Sequence, residues 1–316
     1  MSETNTVTYL KDYKQPDYWV THIDLIFDLR DGETVVSAKL QVKKNGNHRN
    51  PLILNGEELE LVEVKLNEQV IAKEPNLSEG YVVDKESLSL QPTDDAFNLE
   101  TLVRIRPEQN TALEGLYKSG SNWCTQCEAE GFRRITYFCD RPDNMATYTT
   151  KIIADKTAAP ILLSNGNLID QGQMDGGRHY AVWNDPFPKP SYLFALVGGS
   201  LECLEDTFVT TSDREVALRI WAEVKDLDKL GHAMASLKKS MKWDEEVYGR
   251  EYDLDLFNIV AVDDFNMGAM ENKGLNIFNS SCVLASPETS TDATFERVEG
   301  IIAHEYFHNW TGNRIT

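Results

Sequence analysis

Ile23-Asp24-Leu25-Ile26-Phe27-Asp28-Leu29, then Arg30-Asp31-Gly32-Glu33, then Thr34-Val35-Val36-Ser37-Ala38-Lys39-Leu40-Gln41-Val42 is the stretch that decides the fold of the first part of this chain. In its first segment the odd positions Ile23, Leu25, Phe27 and Leu29 are apolar, and the even ones are polar except Ile26. Successive side chains of a strand point to opposite faces, so a period of two predicts one buried and one mostly wet face. Asp31-Gly32 supplies turn chemistry. Val36, Ala38, Leu40 and Val42 then resume the alternation against Ser37, Lys39 and Gln41, which predicts a hairpin. Farther out, Asn45-Gly46 and Asn55-Gly56 mark turns, and Leu59, Leu61, Val62, Val64 and Leu66 give more short strands. Turn signals this dense, with few helical stretches, predict an antiparallel all-β N-terminal domain over residues 1–200. Asp185-Pro186-Phe187-Pro188-Lys189-Pro190 reads as a rigid turn or inter-strand loop, because its prolines remove ladder donors.

The full chain of 316 residues is long enough for two domains with a sizeable core, and 51 acidic against 31 basic side chains give a net charge of −20. Nucleic acid is therefore an unsuitable partner, since binding phosphates needs clustered Lys and Arg. The longest nearly unbroken apolar run, Tyr192 to Gly199, is eight residues. Spanning a bilayer takes roughly 18, so no membrane span is expected. Met1-Ser2-Glu3-Thr4-Asn5 has neither the basic nor the apolar region of a secretory leader. The odd, sparse set of five cysteines fits a reducing compartment, and Cys124-x-x-Cys127 has no second pair at zinc-ribbon spacing. The expected location is the cytoplasm.

Beyond residue 200 the period changes. Leu230, Met234, Leu237, Met241 and Val247 mark an amphipathic helix between Asp226 and Gly249. A strand-like Leu254 to Val262 follows. A last helix starts near Asp292, whose side chain can cap it, with Phe295, Val298 and Ile302 as its seam. That helix carries His304-Glu305-Tyr306-Phe307-His308. Histidines at i and i+4 share a helix face, so His304 and His308 can bind one zinc ion together. Glu305, one step round, can reach a water on that metal without being a ligand. Read blandly, these are two surface histidines beside a solvated carboxylate, but Ile301, Ile302 and Ala303 lead the motif into a buried place. Glu271, within Gly268-Ala269-Met270-Glu271-Asn272, lies 33 residues before His304. Taken bare, that segment is a β-edge or turn with one carboxylate. His22, His48, His179 and His232 have no ligand-like spacing.

Together, His304-Glu305-x-x-His308 and Gly268 through Asn272 resemble the signature pair of the gluzincin zinc aminopeptidases. Asp264-Phe265-Asn266-Met267 running into Gly268 through Phe278, His304 through Arg314, and Cys124 through Arg133 look like the bacterial members, and the likeness extends from about Tyr13 to the last residue. The resemblance implies an α+β multidomain protein: the β domain, then the first part of a thermolysin-like catalytic domain at residues 201–316. It implies one Zn2+ per full-length chain, with His304 and His308 as ligands and Glu305 as general base. Glu271 and Glu128 would bind the substrate's α-ammonium, Gln126 and Met267 would line the first side-chain pocket, and Gly268 and Ala269 would pair with the extended peptide. Substrates would be peptides with a free N-terminus. The family's third ligand is a glutamate on the next helix. Thr316 stands eight residues after His308, so the expectation is a ligand beyond Thr316 and a chain inactive by itself. Two other readings stay open: an epoxide hydrolase relative, which shares the motif pair, and a non-catalytic peptide-binding or scaffold fragment.

Overall fold

The computed structural model describes residues 9–78 and 80–316, so the leader expectation at Met1–Asn5 falls outside the described residues. The deciding stretch forms the strands Tyr18–Leu29 and Thr34–Lys44, paired antiparallel with Ile23 opposite Leu40, Leu25 opposite Ala38 and Phe27 opposite Val36. Those six side chains are almost fully buried, whereas the off-phase Ile26 is 42% exposed. Apart from the small Ala38, each such burial contributes about 1.5–3 kcal/mol, which locks the register, since a one-residue slip would turn every one of them to water.

This hairpin sits in the middle of an eight-stranded sheet in the order Asn167–Gln173, Arg178–Lys189, Ala146–Asp155, Tyr18–Leu29, Thr34–Lys44, Ala96–Ile105, Glu60–Leu66, Gln69–Val70. One pairing departs from the antiparallel expectation: Tyr18–Leu29 runs parallel to Ala146–Asp155, strands too far apart in sequence for a tight turn to dictate their sense. A four-stranded sheet (Ile161–Ser164, Leu196–Gly199, Asn122–Gln126, Gly115–Ser119) and a three-stranded one (Leu52–Asn55, Ser87–Leu90, Tyr81–Val83) complete this part. The proline-rich segment is a correction: Asp185 to Lys189 belong to the strand Arg178–Lys189 rather than to a loop, and Pro190 alone lies beyond it. The ladder steps from Asp185 opposite Tyr148 to Lys189 opposite Ala146, a bulge that places Pro186 and Pro188 where no regular ladder donor is required.

From Glu202 on, a five-stranded sheet follows in the order Glu202–Val209, Glu215–Ala222, Leu256–Val262, Leu275–Asn279, Ala269–Met270. Its central pairings are parallel, and the two-residue strand Ala269–Met270 runs antiparallel at the edge. Leu256–Val262 is buried on both faces. Phe257, Ile259 and Ala261 meet the helices, while Leu256, Val260 and Val262 join the core of the β sheets. The helices are α1, Gly231–Tyr248, and α2, Asp292–Phe307. Leu230 at the N-cap and Met234, Leu237 and Met241 within α1 are buried as expected, but Val247 is 53% exposed. Six residues past Met241 is about 240° round a helix, off the seam. Gly249 ends α1 in the left-handed conformation (φ 62°). The cap of α2 is Thr291 rather than Asp292, its side chain accepting from the Thr294 N–H. Among the described residues no helix is long and apolar enough to cross a membrane, and all five cysteines are free.

Candidate active site

Val298 and Ile302 seat α2 on the five-stranded sheet, which brings its C-terminal turn beside the edge strand Ala269–Met270. Glu305 and Tyr306 face inward, while His304 is exposed and His308, at the C-cap, is half-buried. The motif thus enters a buried place through Glu305 and Tyr306, while His304 stays at the surface. The two Nε2 atoms stand 3.1 Å apart. His308 Nδ1 lies 2.8 Å from the Thr311 carbonyl, to which it must donate. That bond fixes the tautomer and leaves Nε2 with a free lone pair. Two imidazole nitrogens on a tetrahedral zinc would be about 3.3 Å apart, so the pair fits the ion. Among the described residues no group of three or more His, Cys, Asp or Glu is arranged to hold a metal.

Three carboxylates surround this pair. Glu305 is 6% exposed, and its Oε2 finds no hydrogen-bond partner among the described residues. Burial first, and then the charges of Glu271 and Glu128, push its pKa up to about 8. The Glu128 carboxyl is also raised, chiefly by burial and then by Glu271, with His308 opposing. The charge of Glu271 thus reaches both Glu128 and Glu305.

Glu128 is carried by the turn after the strand Asn122–Gln126, closed by the Gly131 N–H donating to Cys127 O at 2.8 Å. A Cβ on Gly131 would lie 2.4 Å from Gln126 O, so only glycine lets the chain fold back there. Gln126 is 2% exposed, its Nε2 contacts Met267 Sδ at 3.5 Å, and its Oε1 has no partner among the described residues. The two sequence-predicted pocket residues thus touch. Gly268 and Ala269 lie at the edge strand, where Gly268 O accepts from Asn279 N–H at 2.9 Å. Tyr117 and Ser119 anchor the preceding segment, donating to Asp264 O at 2.9 Å and Asp264 Oδ2 at 2.8 Å.

Two neighbours carry no sequence pattern and were not expected. Tyr192 OH donates to Gly312 O at 3.3 Å, and Glu271 and Glu128 add to the burial that raises its pKa. Asn313 Nδ2 donates to Glu271 O at 2.9 Å. The other histidines are hydrogen-bonded away from the site, as with His179 to Ala159 O at 2.7 Å and His232 to Phe295 O at 2.9 Å.

Residues 15–193 match the Peptidase M1 N-terminal domain, and residues 232–316 match the Peptidase family M1 domain. The chain belongs to the M1 peptidase family. Within it, the chain is 55% identical over 315 residues to aminopeptidase N of Caulobacter vibrioides and 54% identical over 316 residues to that of Escherichia coli. Those alignments cover 100% of this M1 chain and 36% of each relative, so the chain spans about a third of their length. A solved structure of Legionella pneumophila aminopeptidase A in complex with aspartic acid superposes with a TM-score of 0.91 at 39% identity. It is matched over 97% of this chain and 36% of its own.

Proposed function

We propose that this chain supplies the N-terminal portion of a zinc-dependent aminopeptidase, which releases N-terminal amino acids from peptides by attack of activated water. Residues 1–200 are its β domain and residues 201–316 the first part of its thermolysin-like peptidase domain; the working location is the cytoplasm. The observation that carries the reading is the gathering of Glu128, Glu271 and Glu305 beside converging His304 and His308 nitrogens.

His304 and His308 would hold the ion through Nε2, one per full-length chain. Bound zinc would supply the positive charge that polarises a peptide carbonyl and activates water. Glu305, its Oε2 free of hydrogen-bond partners among the described residues, would take a proton from water activated there and pass it to the leaving amine, the positive charge of the ion favouring the ionised carboxylate that a base needs. Glu128 and Glu271 repel one another until a cation enters between them, so they bind the α-ammonium of a free N-terminus and offset its desolvation. Gln126 and Met267 line the pocket for the first side chain, and the edge at Gly268 and Ala269 pairs with the extended peptide. With two imidazoles and no third donor placed among the described residues, the 316 residues alone hold zinc weakly and turn over no substrate.

Glu305→Gln tests the assignment in a full-length enzyme containing this chain. Hydrolysis of an aminoacyl chromogenic anilide should fall by about 10²–10⁴-fold with zinc content intact. Undiminished turnover would refute Glu305 as the base.

A further inference from the structure

Asn313 lies past the end of α2 and is 3% exposed. Its backbone N–H donates to His308 O at 3.0 Å, and its side-chain Nδ2 donates to Glu271 O at 2.9 Å. One residue therefore ties the C-cap of the metal-binding helix to the residue that would receive the substrate's ammonium. Glu271 needs such a tie, because the strand before it is only Ala269–Met270, with two ladder pairs. The sheet alone gives that segment little purchase. The turn that presents Asn313 is itself braced, Ile315 N–H donating to Trp310 O at 2.8 Å and Gly312 N–H to Ile315 O at 3.1 Å. Two more bonds cross the same seam: Lys273 Nζ to Asn309 Oδ1 at 2.7 Å and Tyr192 OH to Gly312 O at 3.3 Å.

An enzyme that removes one residue at a time has to hold its amine-binding carboxylate at a constant distance from the reacting carbonyl, and a misplacement of about 1 Å can cost on the order of 10²-fold in rate. We propose that Asn313 is a positioning residue that sets this distance by bonding the Glu271 main chain to the His308 main chain. The inference rests on the aminopeptidase reading. Asn313 touches neither metal nor substrate in this role; it acts through Glu271, and Lys273 and Tyr192 support the seam.

A double-mutant cycle in the full-length enzyme separates this role from a merely structural one. With a free-amine aminoacyl anilide, Asn313→Ala should lower kcat/KM by about tenfold, mainly through KM, with zinc content unchanged. In a Glu271→Ala background the same substitution should cost less than about twofold, since the carboxylate it positions is gone. An equal tenfold loss in both backgrounds, or no loss in the parent, would overturn the inference while leaving the aminopeptidase reading intact. If Glu271→Ala itself has no effect on kcat/KM, the amine-binding reading fails, and the positioning role with it. Should Asn313→Ala fail to fold, Asn313→Ser keeps the backbone bond and a small neutral polar side chain while withdrawing the Nδ2 donor from Glu271 O, and the same comparison applies.

Discussion

Gly312 carries the tightest steric demand near the histidine pair. Its φ is +128°, and a Cβ there would stand 2.8 Å from His308 Nδ1. Gly312→Ala should push the imidazole off Thr311 O and misdirect Nε2. Calorimetric titration of the 316-residue chain with Co2+ or Zn2+ should then show affinity weakened by about tenfold or more. Asp244 makes a separate residue-scale prediction. It is 3% exposed in α1, and burial pushes its pKa from 3.8 up to about 6. Between those values the folded chain keeps a proton that the unfolded chain has lost, so stability falls as pH rises through the window and the loss is complete above it. Asp244→Asn should raise stability by about 1–2 kcal/mol at pH of about 7.5 and have little effect near pH 4, as read by urea midpoints at the two values. The histidine pair was legible in the sequence because i, i+4 spacing on a helix is local geometry. Tyr192 and Asn313 were not, since their hydrogen bonds to Gly312 and Glu271 join segments that no periodicity connects.

At the scale of elements, α2 depends on its first turn. The Thr291 side chain accepts from the Thr294 N–H, so Thr291→Ala should cost about 1 kcal/mol in denaturant unfolding, and Thr291→Ser much less. The strands of the β sheets were readable from alternation, down to Ile26 facing outward. The prolines at 186 and 188 misled because their local rule, no ladder donor, is satisfied by a bulge that only the partner strand reveals. The parallel pairing of Tyr18–Leu29 with Ala146–Asp155 was illegible for a related reason: alternation sets which face is buried and says nothing about strand direction. Leu256–Val262 reads as continuously apolar because helices cover one face and the β sheets the other.

For the whole molecule, that doubly covered strand has a thermodynamic consequence. Trp221, Leu256, Val260, Val262, Met270, Leu275 and Ile277 from the five-stranded sheet share one core cluster with the β sheets. Polar groups cross the same boundary: the buried Asn165 Nδ2 donates to Lys273 O at 2.8 Å, and the partly exposed Arg314 guanidinium lies 3.7 Å from the centre of the Phe187 ring. Lys273 pairs with Asp253 and Lys189 with Asp185 at 3.0 Å, all four largely buried. The two parts should therefore melt together, and calorimetry should show one transition with calorimetric and van't Hoff enthalpies in agreement. Lys273→Ala should lower stability by about 1–3 kcal/mol, since it leaves Asn309 Oδ1 without its donor and Asp253 with Arg314 as its remaining cation.

The same wall between the β sheets and α2 carries the chemistry assigned to this chain: imidazoles for a metal, carboxylates for a free amine. Comparing a full-length enzyme's rate on a short peptide with its rate on the N-acetylated form of that peptide tests this most directly. Release of the first residue from the free peptide and negligible cleavage of the acetylated one are expected; comparable cleavage of both would refute carboxylate recognition of a free amine.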